Sequence, residues 1–283
     1  MAARFNSVGI VSRLDLRDAL ELTRKIVNYL RDKGLKISLA SDLSEKLGFR
    51  ENALPIEKMD TDLIVVIGGD GTILRTCLLL PKPEPPILTI NMGERGFLAE
   101  VKPEEAFKAI DKCIKGEFRI EEHSKLAAYV NNKRLPDALN EVFVTAGMPV
   151  KLLYAKIWKN GSYVGECQGD GVIVASQVGS TGYSLSAGGP VLDREMEAFV
   201  VTTVCPLIPF RPIVFPENST ITIEVRRPRR VSVIIDGYYQ EISEAEKTKI
   251  NVKVSENYTR FIRFKEDFYQ RLRSRLLYSG GVC

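Results

Sequence analysis

What this sequence lacks narrows its chemistry first. Its 283 residues include one histidine, His123, and one tryptophan, Trp158. A Ser-His-Asp or Cys-His mechanism would have to run through that single imidazole, and a multi-histidine metal site is excluded. The five cysteines (Cys77, Cys113, Cys167, Cys205 and Cys283) are odd in number, scattered and never spaced C-x-x-C. That arrangement argues against a disulfide framework and against a structural zinc site. No apolar run approaches the ~20 residues of a spanning helix, and no signal-like apolar region opens the chain, so a cytoplasmic location is expected. The charge excess is only +4, too small to argue for nucleic acid or a membrane as partner. With 45% hydrophobic and 27% charged residues, the composition is that of an ordinary globular chain, long enough for one large domain or two modest ones. Chemistry is left to carboxylates, backbone amides and a divalent ion held largely by the substrate.

The first part of the chain alternates strand and helix patterns. Ser7–Val11, Lys36–Leu39, Asp62–Ile67 and Ile87–Ile90 read as strands. Ala19, Leu22, Ile26, Val27 and Leu30 recur at helical spacing, with Gly34 as the closing cap. Thr72–Leu80 reads as a helix stopped by Pro81. Pro103–Lys115 reads as another, opened by proline and two glutamates. This alternation predicts an α/β domain with a mostly parallel sheet, Rossmann- or phosphofructokinase-like. After about Phe118, turn signals at Asn131-Asn132 and Asn160-Gly161 separate short runs rich in Val, Ile and Tyr. Thr220–Val225, Val231–Ile235 and Ile250–Val254 nearly alternate, which predicts an all-β, sandwich-like second domain. Glu266–Leu277 turns helical and basic. The expected boundaries are 1–117, completed by 260–283, and 118–259. Arg226–Arg230 reads as a solvated hairpin, His123 as a surface or capping residue, and Trp158 as core or interface.

The most informative segment runs from Asp62 through Gly68-Gly69-Asp70-Gly71-Thr72: a buried strand, three glycines, an acid, a threonine, then a helix. Glycines allow a sharp turn and close backbone approach to a ligand, and amides at a helix start bind phosphate. Yet no Gly-Lys-Ser/Thr follows, and a G-x-G-x-x-G read from Gly69 meets Leu74 at its last position. Asp70 brings negative charge where phosphate loops avoid it. That placement makes sense if the carboxylate orients or deprotonates a hydroxyl nucleophile while the surrounding amides hold phosphoryl oxygens. The competing reading is a tight turn in which Asp70 only caps its helix. Arg75, just beyond, is read either as a phosphate partner or as a solvated helix residue.

A second strand leads into Asp170–Pro190, a loop of small and hydroxyl residues. Ser180, Thr181, Ser184 and Ser186, with the Tyr183 ring, suit a nucleoside's sugar and base. Asn140-Glu141 ends another strand, where an amide and a carboxylate side by side can hold ribose hydroxyls or a base edge.

Taken together and in order, these blocks resemble the NAD kinase family: G-G-D-G-T at Gly68–Thr72, N-E at Asn140-Glu141, and D-G-V-I-V-A-S-x-x-G-S-T-x-Y-S-L-S-A-G-G-P at Asp170–Pro190. Thr203–Pro206 and Arg211–Val214 resemble the family's next block, so the likeness spans most of residues 60–240. G-G-D-G-T alone also resembles lipid kinases and phosphofructokinases. The resemblance implies transfer of a phosphoryl group from ATP, another triphosphate or polyphosphate to the 2′-hydroxyl of NAD's adenosine ribose, giving NADP, with Mg²⁺ or another divalent cation. It implies Asp70 as the base, and Gly68, Gly69, Gly71 and Thr72 as the donor-phosphate loop. It implies a substrate site from Gly71, Arg75, Phe97, Asn140, Glu141, Asp170, Thr181, Gly182, Tyr183, Ser184 and Ser186, with Lys151, Gln168 and Tyr238 also near the ligand. A homodimer or homotetramer sharing the site between subunits is implied as well. Three positions depart from the family pattern: Gly182 for alanine, Leu207 for a histidine after Cys-Pro, and Gln168 for a residue often basic. The alternatives are a diacylglycerol- or sphingoid-type lipid kinase and a non-catalytic dinucleotide-binding regulator.

Overall fold

The computed structural model describes residues 5–93, 96–148 and 151–276. The chain divides into two compact units, Met1–Glu122 with Thr259–Cys283, and His123–Tyr258.

In the first unit, five strands pair in parallel in the order β3-β2-β1-β4-β5. They are β1 (Ser7–Ser12), β2 (Lys36–Ala40), β3 (Ala53–Leu54), β4 (Leu63–Gly68) and β5 (Ile87–Asn91). The end of a long late strand lies beside β5, with Phe261 opposite Ile87. Every residue of β4 is buried, which is why it reads as an unbroken apolar run; a parallel strand covered on both faces has no solvent side to alternate with. Helix α1 (Arg17–Asp32) buries Ala19, Thr23, Ile26, Val27 and Leu30 on one face and gives way to Gly34 at φ +75°. Helices α2 (Ser41–Leu47), α3 (Asp70–Leu79) and α4 (Ala106–Lys115) follow, α4 entered through a 3₁₀ turn at Pro103–Glu105. From β1 the chain winds one way to β2 and β3; β4 and β5 lie on its other side. Strand order therefore reverses between β1 and β4. In open α/β sheets the carboxyl ends of the strands at such a reversal bind ligands, and β4 ends there in Gly68.

The second unit is built from antiparallel strand pairs. One sheet runs β13-β12-β11-β8-β15-β16. It comprises β8 (Glu141–Ala146), β11 (Gly171–Ala175), β12 (Ala198–Val204), β13 (Ile213–Pro216), β15 (Val231–Ile235) and β16 (Tyr239–Ser243). The other pairs β9 (Leu153–Lys159), β10 (Ser162–Gly169), β14 (Ile221–Arg227) and the early part of β17 (Thr248–Arg263). Strands β6 (Arg119–Val130) and β7 (Lys133–Arg134) form a hairpin, and a one-turn helix α5 (Tyr183–Ser186) lies in the hydroxyl-rich loop. Asn131-Asn132 and Asn160-Gly161 sit at hairpin tips with positive φ at all four residues, the geometry that two-residue turns require. Helix α6 (Phe268–Leu276) follows β17; Leu277 of the expected helix lies outside the described residues.

Some expectations need correction. Arg226–Arg230 is not a hairpin: β14 and β15 belong to different sheets, so the basic run is a crossing between sheets. Arg227 stacks 4.2 Å over the Tyr154 ring. His123 is half-buried within β6 rather than capping a helix, and Trp158 is half-buried with its ring against Tyr163. The centre of the parallel sheet is the part of the fold most sensitive to volume. Ile64, fully buried on β4, should cost about 2–5 kcal/mol when truncated to alanine, read from denaturant unfolding of the Ile64→Ala protein.

Candidate functional site

The glycine loop opens α3. Gly68 is the last residue of β4, Gly69 is the N-cap at φ −97°, ψ −176°, and Asp70 is the first helical residue. Gly68, Gly69 and Gly71 all avoid positive φ, so the expected sharp glycine turn gives way to a different need. A Cβ on Gly68 would meet Thr72 Oγ1 at 2.5 Å, so glycine lets helix and strand close on each other, whereas a Cβ on Gly69 would meet nothing within 4 Å. The Asp70 carboxylate does not cap its own helix. Its Oδ2 accepts from the Phe97 amide and its Oδ1 from the Leu98 amide, each at 3.1 Å. One donor per oxygen leaves each oxygen able to accept another hydrogen. Arg75, on α3, forms an exposed ion pair with Asp42 at 3.3 Å. Phe97 packs its ring edge-on against Phe268.

The second unit builds a different cradle. The backbone entering β8 is gripped by Asp236: Oδ2 accepts from the Leu139 amide at 2.7 Å, and Oδ1 from Asn140 and Glu141 at 2.8 and 2.9 Å. Asp236 sits in the tight turn between β15 and β16, with positive φ at Asp236 and Gly237. Burial raises its pKa, opposed by the three amides and by Lys125. Ser176 closes the cradle, its hydroxyl donating to the Leu139 carbonyl and accepting from the Gly179 amide. Gly179 admits no side chain, because a Cβ there would lie 1.9 Å from the Asn140 carbonyl oxygen.

Held this way, Asn140 and Glu141 present two buried oxygens without hydrogen-bond partners, Asn140 Oδ1 and Glu141 Oε2. Glu141 is 9% exposed. Burial, and secondly the charge of Asp236, push its carboxyl up to about 8, while the Tyr183 amide pulls the other way. Buried polar atoms seek a hydrogen-bond partner, which the hydroxyl or amino group of a ligand can supply. A Cβ on Gly182 would stand 3.2 Å from Asn140 Nδ2 and from Glu141 Oε2, so glycine leaves this pair more room than alanine would.

The hydroxyl-rich loop serves itself more than the sequence suggests. Ser180 donates to the Gln177 carbonyl, Thr181 to the Val178 carbonyl, and Ser184 shares a hydrogen bond with Thr202. Among these hydroxyl and ring side chains, Ser186 and Tyr183 are exposed, and the Tyr183 ring meets Phe143 edge-on. Lys151 and Asp170 line one cavity of about 600 Å³ with Thr145, Gly147, Ser232 and Gln240. Gln168 lines another, beside Tyr154 and Arg227, so the structure does not group it with Lys151. Tyr238 is exposed on the Asp236 turn. Sequence reasoning missed Asp236, Ser176 and the buried Lys125; the Asp-Gly pair at 236–237 was a readable turn signal, but not its grip on residues 139–141.

Comparison with known proteins identifies the family. The ATP-NAD kinase N-terminal domain model matches residues 8–118, and the C-terminal domain model matches residues 139–264. The NAD kinase of Methanothermobacter thermautotrophicus is 39% identical over 279 residues, 97% of either chain. That of Thermococcus gammatolerans is 40% identical over 274 residues, 95% of this chain and 98% of its own. An NAD kinase from Archaeoglobus fulgidus, solved in complex with ATP, superposes with a TM-score of 0.78 at 27% identity, covering 95% of this chain and 98% of that one. Yeast NADH kinase complexed with NADH gives a TM-score of 0.89 over 99% and 90% of the two chains; at 24% identity that is a likeness of fold. None of these relatives favours the lipid-kinase or silent-regulator alternative. With both family domains matched in order over most of its length, this chain belongs to the NAD kinase family.

Proposed function

We propose that this protein phosphorylates the 2′-hydroxyl of the adenosine ribose of NAD to give NADP, with ATP as donor. Its family membership supports the reaction. The observation that carries the mechanism is the Asp70 carboxylate, fixed at the carboxyl end of β4 by one amide on each oxygen. Asp70 accepts the hydrogen of the attacking hydroxyl. The hydroxyl oxygen bonds to the terminal phosphorus as the bond from that phosphorus to the bridging oxygen breaks, and the shortened donor leaves. Because such a transition state is loose, position and charge supply most of the rate, with a base adding ~10²–10⁴-fold. The open space over Gly69 and the amides at the start of α3 suit donor phosphates. The unpartnered oxygens of Asn140 and Glu141 suit hydroxyl and amino groups of the adenosine. Ser186, Tyr183, Asp170 and Lys151 flank the dinucleotide.

A divalent cation such as Mg²⁺ would be bound as part of the triphosphate donor, where it would neutralise phosphate charge. Phosphate oxygens of the donor would supply most of its ligands. The protein is proposed to act as a homo-oligomer, which the exposed Leu207 and Ile208 support, and in the cytoplasm. Among the described residues no helix is long and apolar enough to cross a membrane.

The direct test is NADP formation from NAD and several donors, with and without Mg²⁺. Asp70→Asn should lower kcat by about 10²–10⁴-fold with little change in KM for NAD; near-normal turnover would refute the assigned role. Glu141 gives a pH-dependent outcome. Its carboxyl ionises near its usual 4.5 in the unfolded chain but only at about 8 when folded. The stability it contributes is therefore complete below pH 4.5 and lost as pH rises toward 8. In the ligand-free protein, Glu141→Gln should melt above wild type by a margin that widens from pH 5 to pH 8, roughly 2–4 °C for each kcal/mol of the lost penalty. The same variant should bind NAD more weakly by calorimetry.

A further inference from the structure

The backbone that holds Asp70 is itself held from behind. Arg263, near the end of β17 and 2% exposed, donates from Nη1 to the Leu98 carbonyl at 3.0 Å. The same nitrogen lies 3.3 Å from Glu100 Oε2, and Nε pairs with Glu121. Glu100 in turn accepts from the Phe264 amide at 2.6 Å. Arg271 on α6 reaches the Phe97 carbonyl at 3.5 Å, and Thr89 Oγ1 adds a contact to the Leu98 carbonyl at 3.3 Å.

The planarity of the peptide bond makes these contacts matter for Asp70. The Phe97 carbonyl and the Leu98 N–H belong to one rigid trans unit and point in opposite directions. A cation on that carbonyl fixes the plane whose N–H meets Asp70 Oδ1 and polarises it toward the carboxylate. Arg263 anchors the next plane, so the two peptide planes flanking the Leu98 Cα are both restrained. A buried ion cluster gains little stability over a well-filled apolar site, whereas fixed geometry is what it supplies here.

We propose that Arg263, seconded by Arg271, is a positioning residue that sets Asp70 through the 97–98 peptide units. The assignment rests on the reading of Asp70 as the hydroxyl acceptor. Arg263→Lys keeps a charge for Glu100 and Glu121 but loses the planar fork that serves carboxylates and carbonyl together.

The test is a double-mutant cycle on kcat at saturating NAD and ATP, using wild type, Arg263→Lys, Asp70→Asn and the double variant. Small displacements at a reacting group are costly. Arg263→Lys should therefore lower kcat about tenfold in the wild-type background and less than about twofold in the Asp70→Asn background, with KM for NAD nearly unchanged. Equal losses in both backgrounds, or full activity in Arg263→Lys, overturn the proposal. Should Arg263→Lys fail to fold, Arg271→Lys runs the same cycle with the same two readings, and equal losses there also overturn it. Near-normal turnover by Asp70→Asn alone would instead remove the reading of Asp70 on which this one rests.

Discussion

A carboxylate fixed by main-chain amides is the constraint on which the proposed chemistry depends, and two such carboxylates, one in each unit, shape the candidate site. Asp70 takes one amide hydrogen on each oxygen from residues 97 and 98. Asp236 takes three, from residues 139–141. In both cases an acidic side chain from one segment orders the backbone of another distant in sequence, and hydrogen bonds to a charged acceptor are about twice as strong as neutral ones. The two differ in what they leave over. Asp70 keeps acceptor capacity on both oxygens and is only partly buried, whereas Asp236 is wholly interior and spends its oxygens on the backbone. In the proposed reading, one acid serves the chemistry and the other the scaffolding.

The scaffolding has a cost that the ligand-free protein carries. Aiming Asn140 and Glu141 inward leaves two oxygens unpaired and a carboxyl that prefers its proton up to about pH 8. In the proposed reading the site gives up stability for preorganisation, and hydroxyl and amino groups of the adenosine would relieve the cost. Gly179 and Gly182 belong to the same arrangement. Glycine at the first lets two backbones touch, and at the second it leaves space beside the carboxylate.

The fold was largely legible in the chain. Uninterrupted apolar strands such as 63–68, the 3.6-residue recurrence of α1 and the asparagine turns are local signals, and local signals survive without tertiary context. The site was legible as blocks, because Gly-Gly-Asp-Gly-Thr and Asn-Glu are contiguous. The partners of those blocks were not. Asp236 lies 95 residues beyond Glu141, and Arg263 lies 165 beyond Leu98; nothing along the chain marks such pairings. The hydroxyl loop misled for the opposite reason. Ser180, Thr181 and Ser184 look free in sequence, but the first two bond to carbonyls three residues back and Ser184 meets Thr202 on β12. The basic run at 226–230 misled because adjacent strands usually share a hairpin, and here the chain changes sheets.

The central claim is that Asp70 faces the sugar hydroxyl while its amide partners stay in place. A crystal structure with NAD and a non-hydrolysable ATP analogue measures this directly. The account predicts an Asp70 carboxylate oxygen within hydrogen-bond reach of the ribose 2′-oxygen, about 2.6–3.2 Å, with the Phe97 and Leu98 amides still donating. A 2′-oxygen beyond that reach, with the carboxylate bound only to the two amides, would contradict it.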